Sequence, residues 1–253
     1  MLKTIFVDGD KGGVGKSLVT RALADMYLHD PRQSERYVVV FDADRSNPDV
    51  CGENGYQQGV VDKLVSTSLI NLETESGWSE FGDKMERYVG EGRDADIRVI
   101  ISMPAQIGPR AFDGSIPLVG EILRSVNAIP VWVMSRTQDC ITALEARRKA
   151  MASHYAHGLV VQNLFFGAAD KFTVWKASLL HQEIIDSEEW QEVDFPECND
   201  VLLHRIGRTP FQRILDEGIG GERLGMGSRL SLETWRHEAW SALAKVEDIT
   251  VGA

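Results

Sequence analysis

One segment constrains the fold of this chain more than any other. It reads Asp8-Gly9-Asp10-Lys11-Gly12-Gly13-Val14-Gly15-Lys16-Ser17, and it joins an apolar run of strand length, Thr4–Asp8, to a stretch with helical spacing, Ser17–Leu28. A glycine-rich turn between a buried strand and a helix is the context of a phosphate-binding loop. Gly12, Gly13 and Gly15 allow the backbone to turn tightly with its N–H groups facing inward. The start of the helix adds the positive end of its dipole. Lys16 is placed to reach the β- and γ-phosphates of a nucleotide, and the Ser17 hydroxyl to ligate magnesium. The backbone of Lys11 to Leu18, Val14 included, forms the expected cradle. The strict pattern Gly-x4-Gly-Lys-Ser/Thr fails at one place, where Asp10 replaces the first glycine. An acid beside phosphates is unfavourable, so Asp10 is expected to point away or be offset.

The rest of the chain alternates in the manner of a parallel sheet covered by helices. Strands are expected at Thr4–Asp8, Tyr37–Asp42, Arg98–Ser102, Pro130–Met134 and Gly158–Leu164, each a continuous apolar run as in strands buried on both faces. Helices are expected at Ser17–Leu28, Gly77–Val89, Pro117–Asn127 and Asp139–Tyr155, the last with Ile141, Leu144, Arg148, Met151 and Tyr155 on one face. Beyond Leu164 the alternation weakens. Trp175–Trp190 reads as a helix, Val193–Pro196 as a final strand, Val201–Ile206 and Phe211–Glu217 as short helices, and Ser231 to Val246 as a terminal amphipathic helix. The expectation is one three-layer α/β domain over residues 1–253, of the phosphate-loop NTPase type, with an irregular last third.

The second strand ends Phe41-Asp42-Ala43-Asp44, two carboxylates on the same side at the carboxyl end of a parallel strand, where α/β sheets bind ligands. Such carboxylates hold magnesium-bound water or orient an attacking water, or they cap the following segment. The third expected strand ends Ile101-Ser102-Met103-Pro104, and Gln106-Ile107-Gly108-Pro109 after it suits a switch loop. Asn163 closes the strand Gly158–Leu164; asparagine there is either a turn former or a ligand contact.

The run Lys11-Gly12-Gly13-Val14-Gly15-Lys16-Ser17 resembles the deviant phosphate loop of the ParA/MinD family of ATPases. The resemblance covers roughly residues 1–165. It implies ATP and Mg2+ as cofactors and a dimer that sandwiches the nucleotide, with Lys11 touching the partner's phosphates. Lys11, Lys16 and Asp44 become the catalytic candidates, Asp44 by positioning the hydrolytic water. Asp42 becomes a water-mediated magnesium contact, and Asn163 an adenine contact. Val193–Glu197 resembles the segment that closes the base pocket. Ser102 stands where the family carries an aspartate on magnesium-bound water, so it offers one uncharged, water-mediated contact. Losing a charged acceptor there would cost on the order of 1.5–3 kcal/mol in nucleotide or metal binding, and hydrolysis is therefore expected to be slow.

Composition narrows the function. The formal net charge of -11 disfavours nucleic acid as a default partner. Only a local basic patch, with Arg136 and Arg147-Arg148-Lys149 as the candidate, would bring nonspecific DNA. The three cysteines, Cys51, Cys140 and Cys198, are scattered without a CxxC, which sets aside iron–sulfur and zinc chemistry. No apolar run spans a bilayer and no signal peptide is read, so a cytoplasmic protein is expected; the resemblance implies a bacterial, nucleoid-associated one. The terminal helix carries Trp235, Trp240 and Leu243 but also Glu233, Glu238 and Glu247, which disfavours membrane binding. The reading that remains is a ParA-like ATPase of plasmid partition, DNA segregation or conjugative DNA positioning, acting with a DNA-binding adaptor or partner protein. The alternatives are a hydrolysis-poor, ATP-dependent assembly factor and a MinD-like membrane-positioning ATPase.

Overall fold

The computed structural model describes residues 1–33, 35–45, 48–52, 55–56, 63–91, 95–104, 117–151, 157–187 and 189–249. Seven strands form one sheet: β1 (Leu2–Asp8), β2 (Arg36–Asp42), β3 (Leu64–Leu69), β4 (Asp96–Ser102), β5 (Ala128–Met134), β6 (Gly158–Asn163) and β7 (Trp190–Phe195). Their spatial order is β3-β2-β4-β1-β5-β6-β7, and every neighbouring pair is parallel. All carboxyl ends therefore lie along one edge, and the chain reverses direction beside β1, where a ligand crevice forms.

Helices cover both faces: α1 (Lys16–His29), α2 (Glu75–Glu91), α3 (Pro117–Ser125), α4 (Gln138–Ala150), α5 (Thr173–Lys176), α6 (Leu179–Ser187), α7 (Asp200–Ile206), α8 (Phe211–Glu217) and α9 (Met226–Leu243). The alternation of side chains along each strand assigns them to layers. Ile5, Val7, Val38, Val40, Ile100, Val131 and Val161 pack on one face with α1, α7, α8 and α9. Phe6, Val39, Phe41, Val99 and Ile101 pack on the other with α2 and α3. On that same face, Trp132, Met134 and Val160 meet α4, α5 and α6. The expected three-layer α/β architecture is the one observed.

Four differences from the sequence reading have physical causes. β3 went unread because it is a polar edge strand, Leu-Val-Ser-Thr-Ser-Leu, that is only half-buried. The expected helix Trp175–Trp190 is two helices, since the Ser178 Oγ donates to the Trp175 carbonyl at 2.7 Å and accepts from the His181 amide at 3.1 Å. That hydroxyl ends α5 and caps α6, while Trp190 opens β7. α3 stops at Ser125 because Asn127 takes φ 52° before β5. α9 begins at Met226 rather than Ser231, its first turn stabilised by solvent-facing pairs such as Arg229–Glu233 (3.0 Å) rather than by an apolar stripe. Tyr155 and the expected switch loop Gln106–Pro109 lie outside the described residues.

The terminal helix is packed, not free. Leu232, Trp235, Ala239, Trp240 and Leu243 are buried in the core shared with α1. At its centre Asp25 of α1, wholly buried, accepts from Arg236 at 2.8 and 3.0 Å and from the Trp240 indole at 2.9 Å. Among the described residues no helix is long and apolar enough to cross a membrane.

Candidate functional site

The loop between β1 and α1 lies at the carboxyl edge of the sheet. Its first residue is fixed from below: the Gly9 amide donates to Asp8 Oδ1 at 2.8 Å, and Arg147 Nε of α4 lies 3.0 Å from Asp8 Oδ2. Gly13 and Gly15 adopt φ of 81° and 103°, the left-handed region in which L side chains are strained. An added Cβ on Gly13 would meet nothing within 4 Å, so the loop is open to solvent above that residue. At Gly15 the constraint is contact as well, because a Cβ would lie 2.4 Å from Asn163 Nδ2.

Asn163 is 3% exposed, and its carboxamide clips the end of β6 to the loop. Its Nδ2 donates to the Val14 carbonyl at 2.8 Å, and its Oδ1 accepts from the Phe165 amide at 3.1 Å. Phe195, at the end of β7, is its register partner, so the segment expected to close a base pocket begins beside it. The second N–H of the carboxamide is not used by these bonds.

Lys16 is 6% exposed, and its ammonium donates to the Lys11 carbonyl at 2.7 Å. Burial lowers its pKa, against the opposing charges of Asp8, Asp10 and Asp44. Lys11 itself points outward, with half of its side chain exposed. It lines a cleft of about 430 Å³ together with Ser135, Arg136, Thr137, Phe166 and Lys171. Asp10 turns inward: its side chain is 5% exposed, 3.9 Å from the Lys11 ammonium, and its charge helps to raise the Cys140 thiol, after burial, to about 11. The acid is thus both turned away and offset, as its place in the loop requires.

The two aspartates after β2 divide their work. Asp42 is 1% exposed, and it accepts from the Asp44 amide at 3.1 Å, the Val50 amide at 2.9 Å and the Cys51 amide at 3.4 Å. Burial raises its pKa while those amides oppose the rise. Its oxygens anchor the segment after β2. Asp44 is half-buried and close enough to Lys16 to favour its charged form. Ser102, 2% exposed, ends β4 between Asp42 and Val7, and its carbonyl accepts from the Ala43 amide at 2.9 Å.

Two residues at this edge escaped the sequence reading. Ser17 Oγ lies 3.4 Å from Asp49 Oδ2, and Arg208 Nε, from the turn between α7 and α8, lies 2.6 Å from Asp49 Oδ1. No spacing rule connects residues 17, 49 and 208, and only the fold brings them together. Two residues of the basic run on α4 make contacts within the fold. Arg147 serves Asp8, while Arg148 stacks on Trp190 at 5.5 Å and lies 3.9 Å from Glu183. Only Lys149 of that run is fully exposed, and Arg136 belongs to the Lys11 cleft. Among the described residues no three His, Cys, Asp or Glu side chains converge as a metal cage.

No protein-family model matches the chain. It is 30% identical to Protein MobD of Acidithiobacillus ferrooxidans over 253 residues, which cover 97% of this chain and 99% of that one. In outline it is similar to the cobyrinic acid a,c-diamide synthase of Mycobacterium smegmatis, solved with an ATP analogue and magnesium. That likeness has 12% identity and a TM-score of 0.43, over 70% of this chain and 79% of that one. It is also similar to the signal recognition particle receptor FtsY of Elizabethkingia anophelis, at 13% identity and a TM-score of 0.46, over 93% of this chain and 65% of that one.

Proposed function

The chain belongs to the MobD family, and from that premise we propose that it is an ATPase of ParA-like mechanism. In this reading it closes into a dimer around ATP and Mg2+ and acts with a partner protein in DNA segregation or conjugative DNA positioning. The observation that carries the reading is the loop itself. Gly13 and Gly15 take the left-handed conformation of a tight turn, Lys16 is buried with its ammonium on the Lys11 carbonyl, and Lys11 itself stands exposed. A lysine directed outward from a phosphate loop suits a second subunit's phosphates better than its own.

The residues fit the cofactors. Backbone amides and Lys16 would hold the β- and γ-phosphates. Ser17 Oγ, with a carboxylate 3.4 Å away, offers the hard oxygen donors that magnesium takes alongside phosphates and water. When bound, the ion supplies charge neutralisation at the transferring phosphoryl group. Asp44, at the edge of the same crevice, is the residue to orient the attacking water. Nonspecific DNA, a DNA-binding adaptor and a nucleoid-associated location belong to this proposal. The test is steady-state ATP turnover with and without DNA, alongside dimerisation measured by light scattering. Turnover that DNA stimulates and that Asp44→Ala abolishes, with ATP-dependent dimers that Lys11→Ala prevents, supports the reading. Failure of the wild-type protein to bind ATP overturns it.

One observation favours a second reading. Ser102 is uncharged and nearly buried, and Asp42 directs its oxygens to three backbone amides, so neither presents an uncommitted carboxylate to the metal site. A protein built so would use ATP as a slow switch for assembling a partner complex. ATP-dependent dimers without measurable turnover would select that reading.

A further inference from the structure

The corner of the crevice beside Ser17 holds a carboxylate with a dedicated support. We propose that Asp49 supplies the acidic group of the magnesium site, where β4 ends in Ser102, and that Arg208 is the positioning residue that aims it. The proposal rests on the nucleotide-binding reading above.

The oxygen-bearing groups of Ser102, Asp42 and Asp49 are not equivalent. Ser102 carries no charge. Asp42 accepts three backbone amides and is 1% exposed. Asp49 is one-third exposed, and one of its oxygens lies 3.4 Å from the Ser17 hydroxyl. A hydroxyl and a carboxylate converging at that distance form the donor set that magnesium shares with phosphates and water.

The carboxylate is also held in place from two directions. Asp42 accepts the amide of Val50, the next residue, at 2.9 Å, so the buried aspartate fixes the backbone that carries the half-exposed one. Arg208 lies 2.6 Å from Oδ1, and Oδ2 accepts from the Ser17 hydroxyl at 3.4 Å. Its turn is bound in turn to the helix that carries Ser17. Arg21 of α1 donates to the Gly207 and Thr209 carbonyls at 2.6 Å each and stacks on Phe211 at 4.7 Å. Partners that orient a ligating group in this way tune metal affinity strongly. The irregular last third of the chain thereby contributes a residue to the phosphate-loop site.

The experiment separates metal from nucleotide. Affinity for a fluorescent non-hydrolysable ATP analogue is measured in EDTA, and Mn2+ binding to the nucleotide complex is measured by electron paramagnetic resonance. Asp49→Asn is expected to weaken Mn2+ binding about 10- to 100-fold without weakening the affinity measured in EDTA. Arg208→Ala should weaken Mn2+ binding less, and should add little on top of Asp49→Asn. Asp49→Glu should recover part of the loss. Unchanged Mn2+ affinity in Asp49→Asn overturns the proposal. Equal weakening with and without metal also overturns it, since Asp49 would then merely support the loop. A wild-type protein that binds no nucleotide at all instead removes the nucleotide-binding reading, and the proposal falls with it.

Discussion

Asn163 Nδ2 donates to the Val14 carbonyl at 2.8 Å across a gap that only glycine at position 15 leaves open. Gly15→Ala would place a Cβ against that nitrogen and hold an L residue at φ 103°, a strain of about 1–2 kcal/mol before any clash. Asn163→Ala would relieve the clash but strand the buried carbonyl, at a cost of about 1–3 kcal/mol. Each single variant should lower stability and nucleotide affinity, and the double variant should lose less than the sum. Denaturant unfolding of the four proteins, with a nucleotide titration of each, checks this. Strict additivity would show that the two residues do not meet in solution.

A second prediction concerns the ion pair at the centre of the α1–α9 interface. Arg236 and Asp25 are 5% and 0% exposed, and the Trp240 indole shares the carboxylate. Removing one partner leaves the other buried and uncompensated, which costs about 3–5 kcal/mol. Arg236→Ala should therefore destabilise the protein by that amount, whereas Arg229→Ala, on the exposed face of α9, should change stability by less than about 0.5 kcal/mol. Comparable losses in urea unfolding would mean that the buried pair is not what anchors the helix.

A third follows from the far edge of the sheet. Glu247 accepts from Arg98 at 2.7 and 2.8 Å and from Tyr27 at 2.5 Å, and Arg36 Nη2 lies 3.4 Å away. Burial pushes its carboxyl up, but the Arg98 hydrogen bonds and the surrounding cations outweigh it and hold the pKa at about 2. A depressed carboxylate contributes stability that is full above its unfolded value of 4.5 and is lost as pH falls toward 2. The contribution is on the order of 2–3 kcal/mol. Glu247→Gln should flatten the acid limb of a stability–pH curve between those values, with little change in its shape above pH 5. An acid limb as steep as that of the wild type would assign the loss to other carboxylates.

The parts of this molecule that were legible in the sequence are those governed by short-range rules. The glycine loop, the buried strands and the helical spacing of apolar residues in α1 and α4 each depend on patterns within about ten residues. What escaped depends on distance along the chain. β3 is a polar edge strand whose membership of the sheet is decided by pairing with β2, not by its own side chains. The bonds that Asp42 accepts from the amides of residues 50 and 51 have no signature in the sequence. Arg147 reads as part of a solvent-facing basic run until Asp8, far away in sequence, lies 3.0 Å from it. Arg208 carries no signal at all, because its partner Asp49 comes from the opposite half of the chain.

The last prediction concerns the one residue that breaks the phosphate-loop pattern. Asp10 directs its carboxylate inward beside Cys140 and within 3.9 Å of the Lys11 ammonium, and its charge is among those that favour the charged form of Lys16. It therefore draws on the same two lysines that a bound nucleotide would use. In Asp10→Asn that competing negative charge is gone while the side-chain shape is kept. A charge of this kind, already compensated by its neighbours, is worth on the order of 1 kcal/mol, so the affinity for ATP should rise by roughly fivefold. The gain should change little with ionic strength, because a charge buried in this way is screened much less than an exposed one. The Cys140 thiol, which burial and then Asp10 hold at about 11, should titrate lower in the variant. Nucleotide titrations at two salt concentrations, with the thiolate absorbance followed against pH, check both effects in one protein. Weaker ATP binding in Asp10→Asn would show instead that the carboxylate holds Lys11 in its binding position.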